Sequence, residues 1–193
     1  MAFLDIKNAL LALNAQLKKL NKKFEIVVCG GSALSEIGLI QRTTKDVDVL
    51  GFIERKDDEF EIVRADFPDW LNEIISKIAR DLNIPQNWMN SGPTSIVDLG
   101  LPDGFENRLM KKNYGEYLTV YYISRIDQIY FKLYASVDRG GYHVEDLKKL
   151  KPSAEEIENA ARWSMTHDVS DGYREILKDF LERMGYYDVA RKI

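Results

Sequence analysis

The chain has 193 residues, of which 45% are hydrophobic and 30% charged, and a formal net charge of −4. That length and composition bound it to one globular domain, or one domain with a helical appendix, and exclude a low-complexity segment. The acidic balance excludes extended coating of nucleic acid, which needs a basic surface, while RNA touched at one local patch stays open. Two such patches exist, Lys18, Lys19, Lys22 and Lys23, and Arg108, Lys111 and Lys112, and both also read as solvated faces.

No apolar run approaches the roughly 20 residues that span a bilayer, and the N-terminus lacks the order of a signal peptide. Cys29 is the single cysteine, so no intramolecular disulfide can form and a cytoplasmic location is expected. Leucines at near-helical spacing predict an amphipathic helix over 3–20, stopped at Asn21. Phe24–Val28 predicts the first strand, with Cys29 buried behind it, and Ser32 to about Ile40 the first helix after a Gly-Gly turn, ended near Gly38. Asp46–Phe52 predicts the second strand, and the charged run 54–59 a loop.

Pro68–Leu82 has the apolar stripe of a helix, with Pro68 in its first turn, broken at Asn83-Ile84-Pro85. Trp88-Met89-Asn90 reads as an aromatic wedge with a turn-forming asparagine, or as a lining of the site. Short strands are expected at 95–99 and 118–122, with a loop holding Pro102, Gly104 and Arg108 between them. A helix is expected over 125–134, and Asp146 opens another helical stretch. Pro152-Ser153 starts a further helix with acidic residues in its first turn, and 170–184 is the last. The aromatic residues of these two helices are core material. The expected division is a domain over 1–150 and a helical appendix over 151–193 packed on it.

The chemistry gathers in two neighbouring stretches, Val27-Val28-Cys29-Gly30-Gly31-Ser32 and Arg42-Thr43-Thr44-Lys45-Asp46-Val47-Asp48-Val49. Paired glycines let backbone approach a ligand and take positive φ. Ser32 can cap the helix behind it, and its hydroxyl with the local N–H groups makes an anion site. Asp46 and Asp48 are two apart, so in a strand both carboxylates share one face while Val47 and Val49 enter the core. Two carboxylates beside a phosphate cradle suit Mg2+ (or Mn2+), which takes oxygen ligands and shares its shell with phosphates. Arg42 either reaches a phosphate or pairs with Asp46 or Asp48, and Thr44 positions backbone or caps the strand entrance. No His/Cys cluster has zinc spacing.

This strand, Gly-Gly-Ser turn, helix and Asp-hydrophobic-Asp strand resembles the signature of the nucleotidyltransferase superfold. Within it, residues 24–150 resemble a prokaryotic branch related to the AbiEii-type abortive-infection toxins. The resemblance implies an α/β (α+β) fold, a small mixed sheet flanked by helices, with a helical C-terminal segment. It implies that Gly30, Gly31, Ser32, Arg42, Thr44 and Lys45 bind a nucleoside triphosphate and that Asp46 and Asp48 hold the metal. Lys132, on a helix followed by a Gly-Gly turn and Asp146, resembles the family's second motif, which implies contact with nucleotide phosphates; on an apolar helix face it can also simply snorkel. Further candidates are Asp98 (with Glu61) as a third carboxylate, Arg108 as a phosphate contact or surface ion pair, and Asp138, Arg139 and His143 around the Gly-Gly turn. The implied reaction moves a nucleoside monophosphate from the triphosphate to an acceptor: a tRNA end, a protein side chain or a small molecule. A cognate antitoxin is an implied partner. The alternative is a degenerate module of the same fold that binds a nucleotide or partner without turnover. A purely structural protein would leave the coincidence of the two motifs unexplained.

Overall fold

A computed structural model describes residues 5–39, 46–56 and 59–193. Arg42, Thr44 and Lys45, named above as nucleotide contacts, lie outside the described residues. The chain packs as two units, Met1–Leu101 with Glu106–Ile123, and Pro102–Phe105 with Ser124–Ile193.

The first unit is a mixed six-stranded sheet flanked by helices. Its elements are α1 (Ile6–Lys19), β1 (Phe24–Cys29), α2 (Gly30–Glu36), β2 (Val47–Lys56), β3 (Glu59–Arg64), α3 (Asp69–Asp81), β4 (Met89–Asn90), α4 (Ser95–Leu99), β5 (Met110–Asn113) and β6 (Leu118–Tyr122). The strands run in the order β3-β2-β1-β6-β5, and β4 adds to β2. β1 runs parallel to β6 and β2 to β4, and the other pairs are antiparallel. Ile26, Val27 and Val28 of the central strand are fully buried, as expected of a strand covered on both faces. Phe24 and Phe52 meet edge to face at 4.8 Å, and Trp70 of α3 closes on Phe24 at 5.7 Å, so α3 covers this face. Alternation puts Glu25 on the other face, where Arg55 donates to it through Nε (2.6 Å) and Nη2 (3.0 Å) and Tyr121 through its hydroxyl (3.2 Å).

The second unit is helical: α5 (Arg125–Arg139), α6 (Tyr142–Lys149), α7 (Ala154–His167), α8 (Asp171–Arg183) and α9 (Tyr187–Lys192). Ser124, Ser153 and Ser170 cap α5, α7 and α8 by accepting from backbone N–H groups one turn on. Trp163 of α7 stacks on Phe131 of α5 at 5.6 Å and meets Tyr130 and Tyr134 edge to face. Tyr173, Leu177, Phe180 and Leu181 of α8 are buried, so these residues are core.

Several sequence expectations change. Of the charged run 54–59, expected as a loop, residues 54–56 continue β2 and Glu59 begins β3, while 57–58 lie outside the described residues. A hairpin needs paired backbone, and its side chains can stay in water, as the exposed Lys56–Glu61 pair does at 3.8 Å. Residues 95–99 form α4 rather than a strand, and β5, between α4 and β6, falls where a loop was expected. Pro68 is the N-cap of α3 rather than part of its first turn. α5 runs on to Arg139, α6 starts at Tyr142 ahead of Asp146, and α9 follows the helix expected to be last.

Candidate functional site

β1 delivers the Gly-Gly-Ser turn. Its last residue, Cys29, is the extended N-cap of α2 and provides no side-chain cap. Ser32 is therefore not the cap but the third residue of the helix, buried, with Oγ donating to the Cys29 carbonyl at 3.3 Å. The sequence places the cap on the best capping residue type; the backbone turns earlier because Gly30 takes a φ of +70°. Ser32 thus closes the turn that opens at Gly30.

Gly30 meets Asp48. A side chain at Gly30 would collide with Asp48 Oδ2 and come within 3.2 Å of its Cγ. The strand register explains the meeting, because β1 and β2 pair Cys29 with Asp48. It also contains a bulge: Val27 faces Gly51 and Val28 faces Val49, which leaves Leu50 as an extra residue on β2. Ile26 pairs with Phe52 and Cys29 with Asp48, and Ile26 and Cys29 point to opposite faces by alternation. The extra residue therefore sends Asp48 to the face opposite Phe52 and α3. Burial alternates through the motif: Val47 and Val49 are buried while Asp46 and Asp48 are partly exposed.

On the other edge of β2, β4 pairs Asp48 with Asn90, and Asn90 Nδ2 donates to Asp48 Oδ1 at 3.1 Å. Asn90 is also the turn-former expected from sequence, its Oδ1 accepting from Gly92 N at 2.9 Å. Trp88 is the wedge: it is fully buried, donates from Nε1 to the Ile75 carbonyl at 3.1 Å, and its carbonyl accepts from Val47 N at 2.7 Å. Only the pairing of a two-residue strand brings Asn90 to Asp48, and no local pattern in the sequence announces that strand.

The remaining candidates fall elsewhere. Asp98 on α4 is half exposed and ion-paired with Arg64. Glu61 stands opposite Glu54 on β2, six residues from Asp48, or roughly 20 Å along a strand, so it cannot join the Asp48 site. Arg108 ends a short 3-10 turn, Glu106–Arg108. In the second unit Lys132 is buried and its Nζ donates to Asp146 Oδ2 at 2.9 Å, with the Tyr142 ring 5.5 Å from the charge. His143 packs against the Tyr142 ring at 4.0 Å. Asp138 and Arg139 form an exposed pair with each other at 3.0 Å, a type worth little. Among the described residues no three His, Cys, Asp or Glu side chains gather as a metal cluster, and no helix is long and apolar enough to cross a membrane.

A Gly-Gly-Ser turn seated on the carboxylate of an Asp-Val-Asp strand, in a small mixed sheet, is the arrangement expected of a nucleotidyltransferase. The chain matches, over residues 8–151, the profile of the family described as Nucleotidyltransferase of unknown function (DUF6036), and it belongs to that family. Searches of curated proteins and of solved structures each returned no match.

Proposed function

We propose that this protein transfers a nucleoside monophosphate from a nucleoside triphosphate to an acceptor, at the place where the α2 turn meets Asp48. The observation that supports this is the fit of Gly30 to Asp48, because only a glycine leaves room there for both the turn and the carboxylate. The donors at the site are carboxylate oxygens, which suit Mg2+ or Mn2+ and do not suit a soft metal. With no third ligand gathered among the described residues, a cation held by Asp46 and Asp48 would complete its shell with phosphate oxygens and water. Such a cation supplies charge neutralisation and a template for in-line displacement at the α-phosphorus.

The chain's own residues divide the remaining work. Gly30 and Gly31 are proposed to hold phosphate oxygens by their likeness to the family's first motif, and Ser32 holds the turn closed. Lys132, oriented by Asp146, is proposed as the phosphate-neutralising cation by its likeness to the family's second motif. The acceptor classes are a tRNA end, a protein side chain and a small hydroxylated molecule. An antitoxin partner and an abortive-infection role belong to the AbiEii-type branch and are proposed on that likeness alone.

A thermal-shift panel of the four nucleoside triphosphates, with and without Mg2+, tests the site on wild type and on Asp46→Ala/Asp48→Ala. A Mg2+-dependent rise in Tm that disappears in the double variant is expected, and α-labelled nucleotide then screens acceptors. A rise without label transfer or pyrophosphate release would favour the degenerate binding module. A rise that persists in the double variant would remove the metal site from Asp46 and Asp48.

A further inference from the structure

β4 is two residues long and its last residue, Asn90, lies in register with Asp48. Both ends of the Asn90 amide are engaged. Gly92 N can only donate, so its 2.9 Å bond assigns Oδ1 to the turn and leaves Nδ2 for Asp48 Oδ1 at 3.1 Å. Asp48 is therefore held on one oxygen by an amide, and its other oxygen occupies the space that a Cβ at Gly30 would need. Its partners on the two adjoining strands, Cys29 and Asn90, are both uncharged residue types.

We propose that Asn90 is a positioning residue for Asp48: its amide, fixed by the Gly92 turn, sets the orientation in which the carboxylate meets a nucleotide-borne divalent cation. It also keeps a second negative charge from the neighbouring strand position. This rests on the metal–nucleotide function proposed above. A carboxylate fixed in advance loses less freedom when it binds a cation, and removing a residue that orients a metal ligand typically weakens binding about 10–100-fold.

Two substitutions separate the contact from the turn. Asn90→Ala removes both bonds, whereas Asn90→Asp keeps an acceptor for Gly92 N and replaces the donor to Asp48 with a like charge. The readout is the Mg2+ concentration that gives half of the nucleotide-dependent rise in Tm, which a loss of fold stability alone does not move. Asn90→Ala is expected to raise that concentration about tenfold or more. Asn90→Asp is expected to gain a Mg2+-dependent rise in Tm without nucleotide that wild type lacks, because two adjacent carboxylates then repel until a cation neutralises them. If Asn90→Ala is too unstable to titrate, the Asn90→Asp response without nucleotide decides alone. A half-point within twofold of wild type for Asn90→Ala, or an Asn90→Asp response as flat as wild type, overturns the proposal. Asp48→Ala, run alongside, tells the two ideas apart. If it abolishes the nucleotide response while the Asn90 variants behave as wild type, only Asn90 is wrongly assigned; if it leaves the response intact, the site itself falls and Asn90 with it.

Discussion

At Gly30 backbone conformation and site geometry meet in one residue. Its φ of +70° would cost a residue with a side chain about 1–2 kcal/mol, and a Cβ there would collide with Asp48. Gly38 has nearly the same φ, +74°, but nothing within 4 Å of where its Cβ would be. Gly38→Ala should therefore lose only the backbone part, a Tm lower by about 2–8 °C for a chain of this length. Gly30→Ala should lose at least as much and also displace the Asp48 carboxylate, abolishing the Mg2+–nucleotide rise that Gly38→Ala keeps. Equal nucleotide responses in the two variants would mean that the contact with Asp48 is incidental. Much at this scale was legible in the sequence: the Gly-Gly turn and the Asp strand are local patterns, and they meet. The Asn90–Asp48 bond was not, because it depends on a strand pairing 42 residues apart in sequence. Nor was the Leu50 bulge, since a strict period of two through β2 would place Asp48 on the α3 face.

Elements show the same division between local and distant causes. β6 and the apolar spans of α1, α3, α7 and α8 were readable because each carries its own apolar pattern. The β2–β3 hairpin and α4 were misread because composition over five or six residues cannot distinguish a solvated hairpin from a loop, or one helical turn from a strand. α7 offers a measurable case of a readable start. Ser153 Oγ accepts from Glu156 N, and a Glu156 oxygen accepts from Ser153 N at 2.8 Å, a capping box. Arg125 adds to it, donating to Glu156 Oε1 at 2.6 Å and to the Leu150 carbonyl at 2.9 Å through Nε. The Arg125 hydrogen bond is the first cause that holds the Glu156 carboxyl below its ordinary value of 4.5. A depressed folded-state pKa contributes stability above the unfolded value, and that contribution is lost as pH falls through the folded one. Wild-type Tm should thus fall as pH drops below about 4.5, and Glu156→Gln should start lower at pH 7 and fall less steeply. Parallel Tm-against-pH curves for the two proteins would show that Glu156 carries no such linkage.

For the whole molecule, family membership and folding units have different boundaries. The family match ends at residue 151, while the second packing unit runs from Ser124 to Ile193. A chain ended at Lys151 would keep every matched residue, including Lys132 and Asp146, but would lose α7, the helix on which α5 packs most extensively. Tyr130, Phe131 and Tyr134 would lose their shared partner Trp163. Such ring pairs contribute about 0.5–1.5 kcal/mol each beyond the area they bury. Arg125 would lose Glu156, leaving a half-buried guanidinium on the Leu150 and Lys151 carbonyls. The buried Ile157, Ala160 and Ala161 of α7 go with them, and together these losses approach the roughly 5–15 kcal/mol that holds a whole domain, so α5 and α6 should unfold. The shortened chain should therefore lose more helix by circular dichroism than the removed residues 152–193 account for, and trypsin should cut at Arg125, Lys132 and Arg139. Trp163→Ala in the full chain is the graded version: a loss of about 3 kcal/mol is expected, with Lys132 still protected from trypsin below the lowered Tm. A shortened chain that resists trypsin across 124–151 would show that α5 and α6 stand without α7, and that the matched segment folds on its own.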